Sequence, residues 1–107
     1  MRWTVQTLNR SVDAEIEALP KDMRARLVRL TELIQSFGFR GLPPGSVKHL
    51  GEKLWELRVT GRDGISRAIY VTAAGQRVII VRVFIKKTQK TPQRELELAR
   101  ERAKEVK

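Results

Sequence analysis

An α+β fold is predicted for this chain from three observations. Apolar residues recur at helical spacing through the first third, three β-prone runs crowd together behind a Gly/Pro-rich stretch, and a charged, helix-like segment follows them. The expected order is β-α-α-β-β-β-α within one domain of residues 1–107. A small, mostly antiparallel twisted sheet is expected, with a helical hairpin on one face and a C-terminal helix.

The run Trp3 to Thr7 alternates and is β-prone, so it reads as a strand placed at an edge or alongside the last strand. Ser11 is expected as the N-cap of the first helix, in which Val12, Ile16 and Leu19 share a face. Pro20 opens a second helix, where Met23, Leu27, Leu30, Ile34 and Phe37 form an apolar stripe ending at Gly38. Gly38 to Gly51 reads as a loop because of its glycines and prolines. Leu54 to Thr60 places Trp55, Leu57 and Val59 on one strand face, and Glu56 and Arg58 on an opposite face expected to be partly open. A glycine-bounded turn at 61–64 leads into the return strand Ile65 to Thr72. Arg77 to Ile85 is almost continuously apolar, as a central strand is, and Thr91-Pro92 opens the last helix.

Composition narrows the function classes. With no cysteine and one histidine among 107 residues, disulfides, thiolate nucleophiles and multi-histidine metal sites are excluded, and neither a metal nor a cofactor is expected. No apolar run reaches membrane-spanning length, and the first ten residues lack the apolar stretch of a signal peptide, so a cytoplasmic protein without membrane contact is expected. Lys and Arg number 22 against 12 acids, a net charge of +10. The excess is local: residues 37–91 carry 11 bases and 3 acids, whereas both flanks are nearly balanced. Positive charge concentrated in this way points to a polyanionic partner, nucleic acid first.

The candidate residues lie in that middle segment. A hairpin puts Arg58 and Arg67 on adjacent strands, where two guanidinium forks could converge on one phosphate. Lys48, Lys53, Arg82, Lys86 and Lys90 are candidate contacts for an RNA backbone, with Lys87 beside them. Arg82 interrupts an apolar strand, which requires a partner if it is buried. Glu56 reads either as a structural counter-charge or as a general base, and His49 either as a surface histidine or as a catalyst. Trp55, Tyr70 and Phe84 read as core or half-buried sheet residues.

Four runs taken together resemble a known family. They are Lys48-His49-Leu50-Gly51, Leu54-Trp55-Glu56-Leu57-Arg58, Ser66-Arg67-Ala68-Ile69-Tyr70, and Phe84 to Pro92 with its closing lysines. In this order and spacing they resemble the RelE/ParE toxin superfamily, most closely its HigB-like, phage-derived branch. The resemblance implies the toxin of a type II toxin–antitoxin pair that cleaves mRNA in the decoding site of the 70S ribosome, without metal. The ribose 2′-hydroxyl would attack the adjacent phosphate and leave a 2′,3′-cyclic phosphate. By position, Arg58 and Arg67 match the strand cations of RelE-like nucleases and would hold the scissile phosphate; Lys86 or Lys87 matches the basic residue after the last strand, with Lys87 expected to stabilise the developing charge. Glu56 falls where some members have a general base, and His49 is similar to a histidine used by some HigB-type enzymes.

The chain departs from the family pattern in having no histidine or tyrosine after the last strand and no tyrosine in the last helix. The general acid is thereby unassigned, with His49 and Lys87 as candidates. The partner implied is a cognate antitoxin, a small helix-turn-helix DNA-binding protein. Two rival readings follow from the same superfamily: a ParE-like gyrase inhibitor without catalysis, and a degenerate toxin that only binds its antitoxin.

Overall fold

The computed structural model describes residues 2–87 and 89–107. Strand β1 (Thr4–Thr7) is followed by helices α1 (Arg10–Glu17) and α2 (Lys21–Phe37), then by a 3₁₀ turn (Gly38–Gly41). Strands β2 (Val47–Gly51), β3 (Leu54–Gly61), β4 (Gly64–Ala73) and β5 (Arg77–Lys86) come next, and helix α3 (Gln93–Ala103) closes the order. The five strands form one mixed sheet in the order β1-β5-β4-β3-β2, antiparallel except where β1 runs parallel to β5.

The α+β class holds, with one strand more than expected. The stretch read as a loop contains β2, whose Val47 and Lys48 pair with Leu57 and Glu56 of β3. The glycines and prolines of this stretch lie mainly before residue 46, so the pairing partner rather than local composition decides its last five residues. The first helix begins two residues earlier than expected. Asn9, not Ser11, is the N-cap, and its side-chain oxygen accepts the Val12 N–H at 3.1 Å.

Both faces of the sheet are covered. On one, α1 and α2 lay Val12, Met23, Leu27, Leu30 and Ile34 against Leu57, Val59, Ala68, Tyr70 and Ile80. Helix α2 sits close to the β3–β4 hairpin. A β-carbon on Gly61 would lie 2.5 Å from Met23 Cγ, and the Asp22 carboxylate accepts the Arg62 N–H at 2.5 Å. On the other face, α3 packs Ala99 and Leu96 against Leu54, Ile69, Val71, Ile79, Val81 and Phe84. The face expected to be partly open is therefore closed over much of its area, and Glu56 beneath it is fully buried.

A bulge in β5 explains Arg82. Ile69 pairs with Arg82 but Tyr70 pairs with Ile80, which leaves Val81 as an extra residue. Val81 and Arg82 can then both serve the α3 side. The Arg82 guanidinium binds Glu95 of α3 at 2.6 and 3.1 Å and Glu15 of α1 at 2.8 Å. Glu15 also accepts the Val83 N–H at 3.0 Å, and Arg102 donates to the Val81 carbonyl at 2.9 Å. These two side chains close the edge of β5 beyond the end of β1, where backbone groups would otherwise lack partners.

Candidate nucleic-acid interface

Strand alternation assembles the cationic residues at the hairpin end of the α3 face. Arg58 stands opposite Arg67 across β3 and β4, and Ile65 pairs with Lys86 across β4 and β5. Arg67 shares its pleat with Ile69, and Lys86 shares its pleat with Phe84, both of which face α3. Helix α3 covers the middle of this face and leaves the hairpin end uncovered. Two adjoining cavities lie there. One, of about 320 Å³, is lined by Gly45, Val47, Lys48, Arg58, Arg67, Lys86 and Gln89. The other, of about 510 Å³, is lined by Arg58, Gly64, Ile65, Lys86, Lys87 and Gln89. They share Arg58, Lys86 and Gln89 and form one groove, with no acidic residue among the described residues of its lining.

Beneath the groove sits a buried ion pair. Arg67 is 2% exposed and its Nη1 donates to Glu56 Oε1, while Glu56 Oε2 accepts the Thr91 hydroxyl at 2.7 Å. Thr91 thereby ties the segment leading into α3 to the floor of the site. The Arg67 Nε has no hydrogen-bond partner among the described residues. Burial pulls the Arg67 guanidinium below its ordinary value; Glu56 opposes this, and the nearby Arg58 charge adds to it. Lys86 is also held below the ordinary lysine value, first by loss of water and then by the charges of Arg67 and Arg58. Both effects come first from loss of water, and the like charges crowded into the site add to them, an arrangement stabilised when an anion enters.

The structure brings together Lys48, Arg58, Arg67, Lys86 and Lys87, with Glu56 beneath them, and places His49, Lys53 and Arg82 elsewhere. His49 occupies the pleat opposite to Lys48, and its ring stacks on Trp55 with centroids 4.4 Å apart. One ring nitrogen lies 2.9 Å from the Glu52 carbonyl oxygen, so His49 faces away from the groove. Glu56 lies under the groove with both carboxylate oxygens engaged, which favours its counter-charge role. Lys53 sits in the β2–β3 turn, about 16 Å from Arg58 along an extended strand. Arg82 is committed to Glu15 and Glu95, the partner that its place in an apolar strand required. Lys90 is exposed on the segment before α3. Sequence reading missed Gln89 and Thr91; a lone polar residue carries no period, and Thr91 was read only as part of a helix start.

These features define an α+β domain with a mixed sheet and a cation-lined groove on one end of it. Among the described residues no cluster of His, Cys, Asp and Glu is suited to hold a metal ion, and no helix is long and apolar enough to cross a membrane. The chain belongs to the Gp49-like family of phage-derived proteins (DUF891), a toxin-like family of the RelE/HigB type, whose model matches residues 14–104. Comparison with curated proteins returns no match.

Proposed function

We propose that this chain is the toxin of a type II toxin–antitoxin pair and acts as a metal-independent endoribonuclease on mRNA in the ribosomal decoding site. The observation that carries this reading is the convergence of Arg58, Arg67 and Lys86 on one groove, with Lys48 and Lys87 at its walls. Family membership supports it.

In this reading the scissile phosphate lies against Arg58 and Lys86, above the buried Arg67. The 2′-oxygen attacks phosphorus and its proton passes to water. The P–O5′ bond breaks, leaving a 2′,3′-cyclic phosphate. The arginines stabilise the charge that grows on the phosphoryl oxygens. Lys86, rather than His49 or Lys87, supplies the proton to the departing 5′-oxygen. Its ammonium is made more acidic first by loss of water and then by the cations around it, and a general acid benefits from that shift. Lys48 and Lys87 bind the flanking backbone. A cognate antitoxin, a small helix-turn-helix protein, holds the toxin inactive.

Primer extension on a reporter mRNA after brief induction tests the proposal, with an Arg58→Ala/Lys86→Met protein as control. Cuts within translated codons that vanish in the control are the expected result. Growth arrest with intact mRNA would refute the nuclease and leave a non-catalytic toxin of the gyrase-inhibitor kind.

A further inference from the structure

The other face of the sheet carries a second concave surface, which meets the groove only at Gly45 and Val47. An apolar cleft of about 570 Å³ lies between the 3₁₀ turn, the start of β2 and the edge of β3, lined by Trp3, Phe39, Leu42, Pro43, Trp55 and Tyr70 among others. Trp3 and Phe39 also line an adjoining hollow of about 600 Å³, rimmed by Arg2, Arg40 and the 68%-exposed Phe37. The surface is thus apolar at one end and cationic at the other, and no acidic residue lines either cavity among the described residues.

We propose that this cleft is a docking site for an acidic protein segment bearing a large apolar side chain, with the side chain seated among Trp3, Phe39 and Trp55 and its neighbouring carboxylates against Arg2 and Arg40. Charge complementarity selects the carboxylates. Ring geometry favours an aliphatic or aromatic anchor over stacked nucleobases. Phe39 already stacks on Tyr70 at 5.8 Å and meets Trp3 edge-on at 5.1 Å, and Trp55 carries His49 on one face. The platforms that stacking bases would need are largely taken. The cleft also touches the support of the cationic groove. Gly45 and Val47 wall both, and the Ser46 carbonyl accepts the Arg58 N–H at 2.8 Å. An occupant therefore rests on the segment that positions Arg58. The proposal stands whether or not the groove cuts RNA.

Both tryptophans of the chain line the cleft, so intrinsic fluorescence reports its occupancy. The probe is a library of displayed 16-residue peptides selected against the intact chain, with enriched sequences then synthesised and titrated. Enriched peptides should be net acidic with at least one large apolar residue. They should shift the tryptophan emission and bind at least tenfold more weakly to Trp55→Glu. Arg40→Glu should weaken them several-fold, whereas Arg58→Ala should leave them within twofold. Trp55 is 36% exposed on an edge-side position and Arg40 is exposed, so both variants should keep the parent far-UV spectrum. The proposal is overturned if nothing enriches, or if the peptides bind Trp55→Glu as tightly as the parent. It is equally overturned if binding follows Arg58→Ala instead, if a single-stranded oligonucleotide occupies the cleft, or if sedimentation shows a second copy of the chain there.

Discussion

Replacing Glu56 with glutamine keeps the shape of the side chain and removes the charge that faces Arg67. Glu56 is fully buried and Arg67 is 2% exposed, so the guanidinium would be left in the interior without its counter-charge. Breaking a buried pair from one side costs about 3–5 kcal/mol. Glutamine still offers its one oxygen to Arg67 and an amide N–H to the Thr91 hydroxyl oxygen, which places the expected loss near the lower limit, about 3 kcal/mol. That is a large share of the ~5–15 kcal/mol that holds a typical domain. In urea, with a slope of about 2 kcal/mol/M, the midpoint should fall by about 1.5 M. Far-UV circular dichroism at constant pH and salt is the assay. The double variant Glu56→Leu/Arg67→Met removes both charges and should recover most of the loss, since an apolar pair of similar volume is often neutral or better. An unchanged midpoint in Glu56→Gln, or a double variant less stable than the single one, would refute the buried-pair account. Cleavage separates the two roles that the sequence left open. Per folded molecule, Glu56→Gln should lose only a few-fold in rate, whereas a loss of about 100-fold or more with unchanged stability would make Glu56 the base.

If Lys86 protonates the leaving oxygen, cleavage should fall as pH rises through its pKa, with a midpoint below the ordinary 10.5, and Lys86→Arg should move that fall to higher pH. Because the folded value is depressed, the unfolded chain binds more protons between the two pKa values, so stability should rise with pH across that interval; urea titrations of Lys86→Met should lose that rise. For RNA held by its backbone, log K should fall linearly with log salt, and Arg58→Ala should reduce that slope by about one while weakening all sequences alike. Asn9→Ala should cost about 1 kcal/mol through loss of the α1 cap, whereas Ser11→Ala, at an exposed position inside the helix, should lie within about 0.5 kcal/mol in the same denaturation assay.

The stripe from Met23 to Ile34 and the alternation of Leu57 and Val59 were legible in the sequence because periodicity records which side of an element meets apolar neighbours. The same alternation put Arg58 and Arg67 on adjacent strands, and a 61–64 turn of suitable length made them face each other. Three other features needed the assembled chain. Strand β2 exists because β3 offers it an edge, and no local propensity of Val47–Gly51 announces that. The partners of Arg82 come from α1 and α3, which are 67 and 13 residues away in sequence, and a bulge rather than the strand period sets its direction. His49 and Lys48 are neighbours in sequence, yet the pleat sends them to opposite faces once β2 is a strand.

By itself, then, the sequence determined the class of fold, the hairpin pairing of the strand arginines and the concentration of positive charge in the middle of the chain, because each is written in local period or composition. Only the tertiary structure decided which cations share the groove. That choice depends on where α3 stops covering the sheet, on the bulge that turns Arg82 towards Glu95, and on the buried Glu56–Arg67 pair that Thr91 joins to the segment before α3.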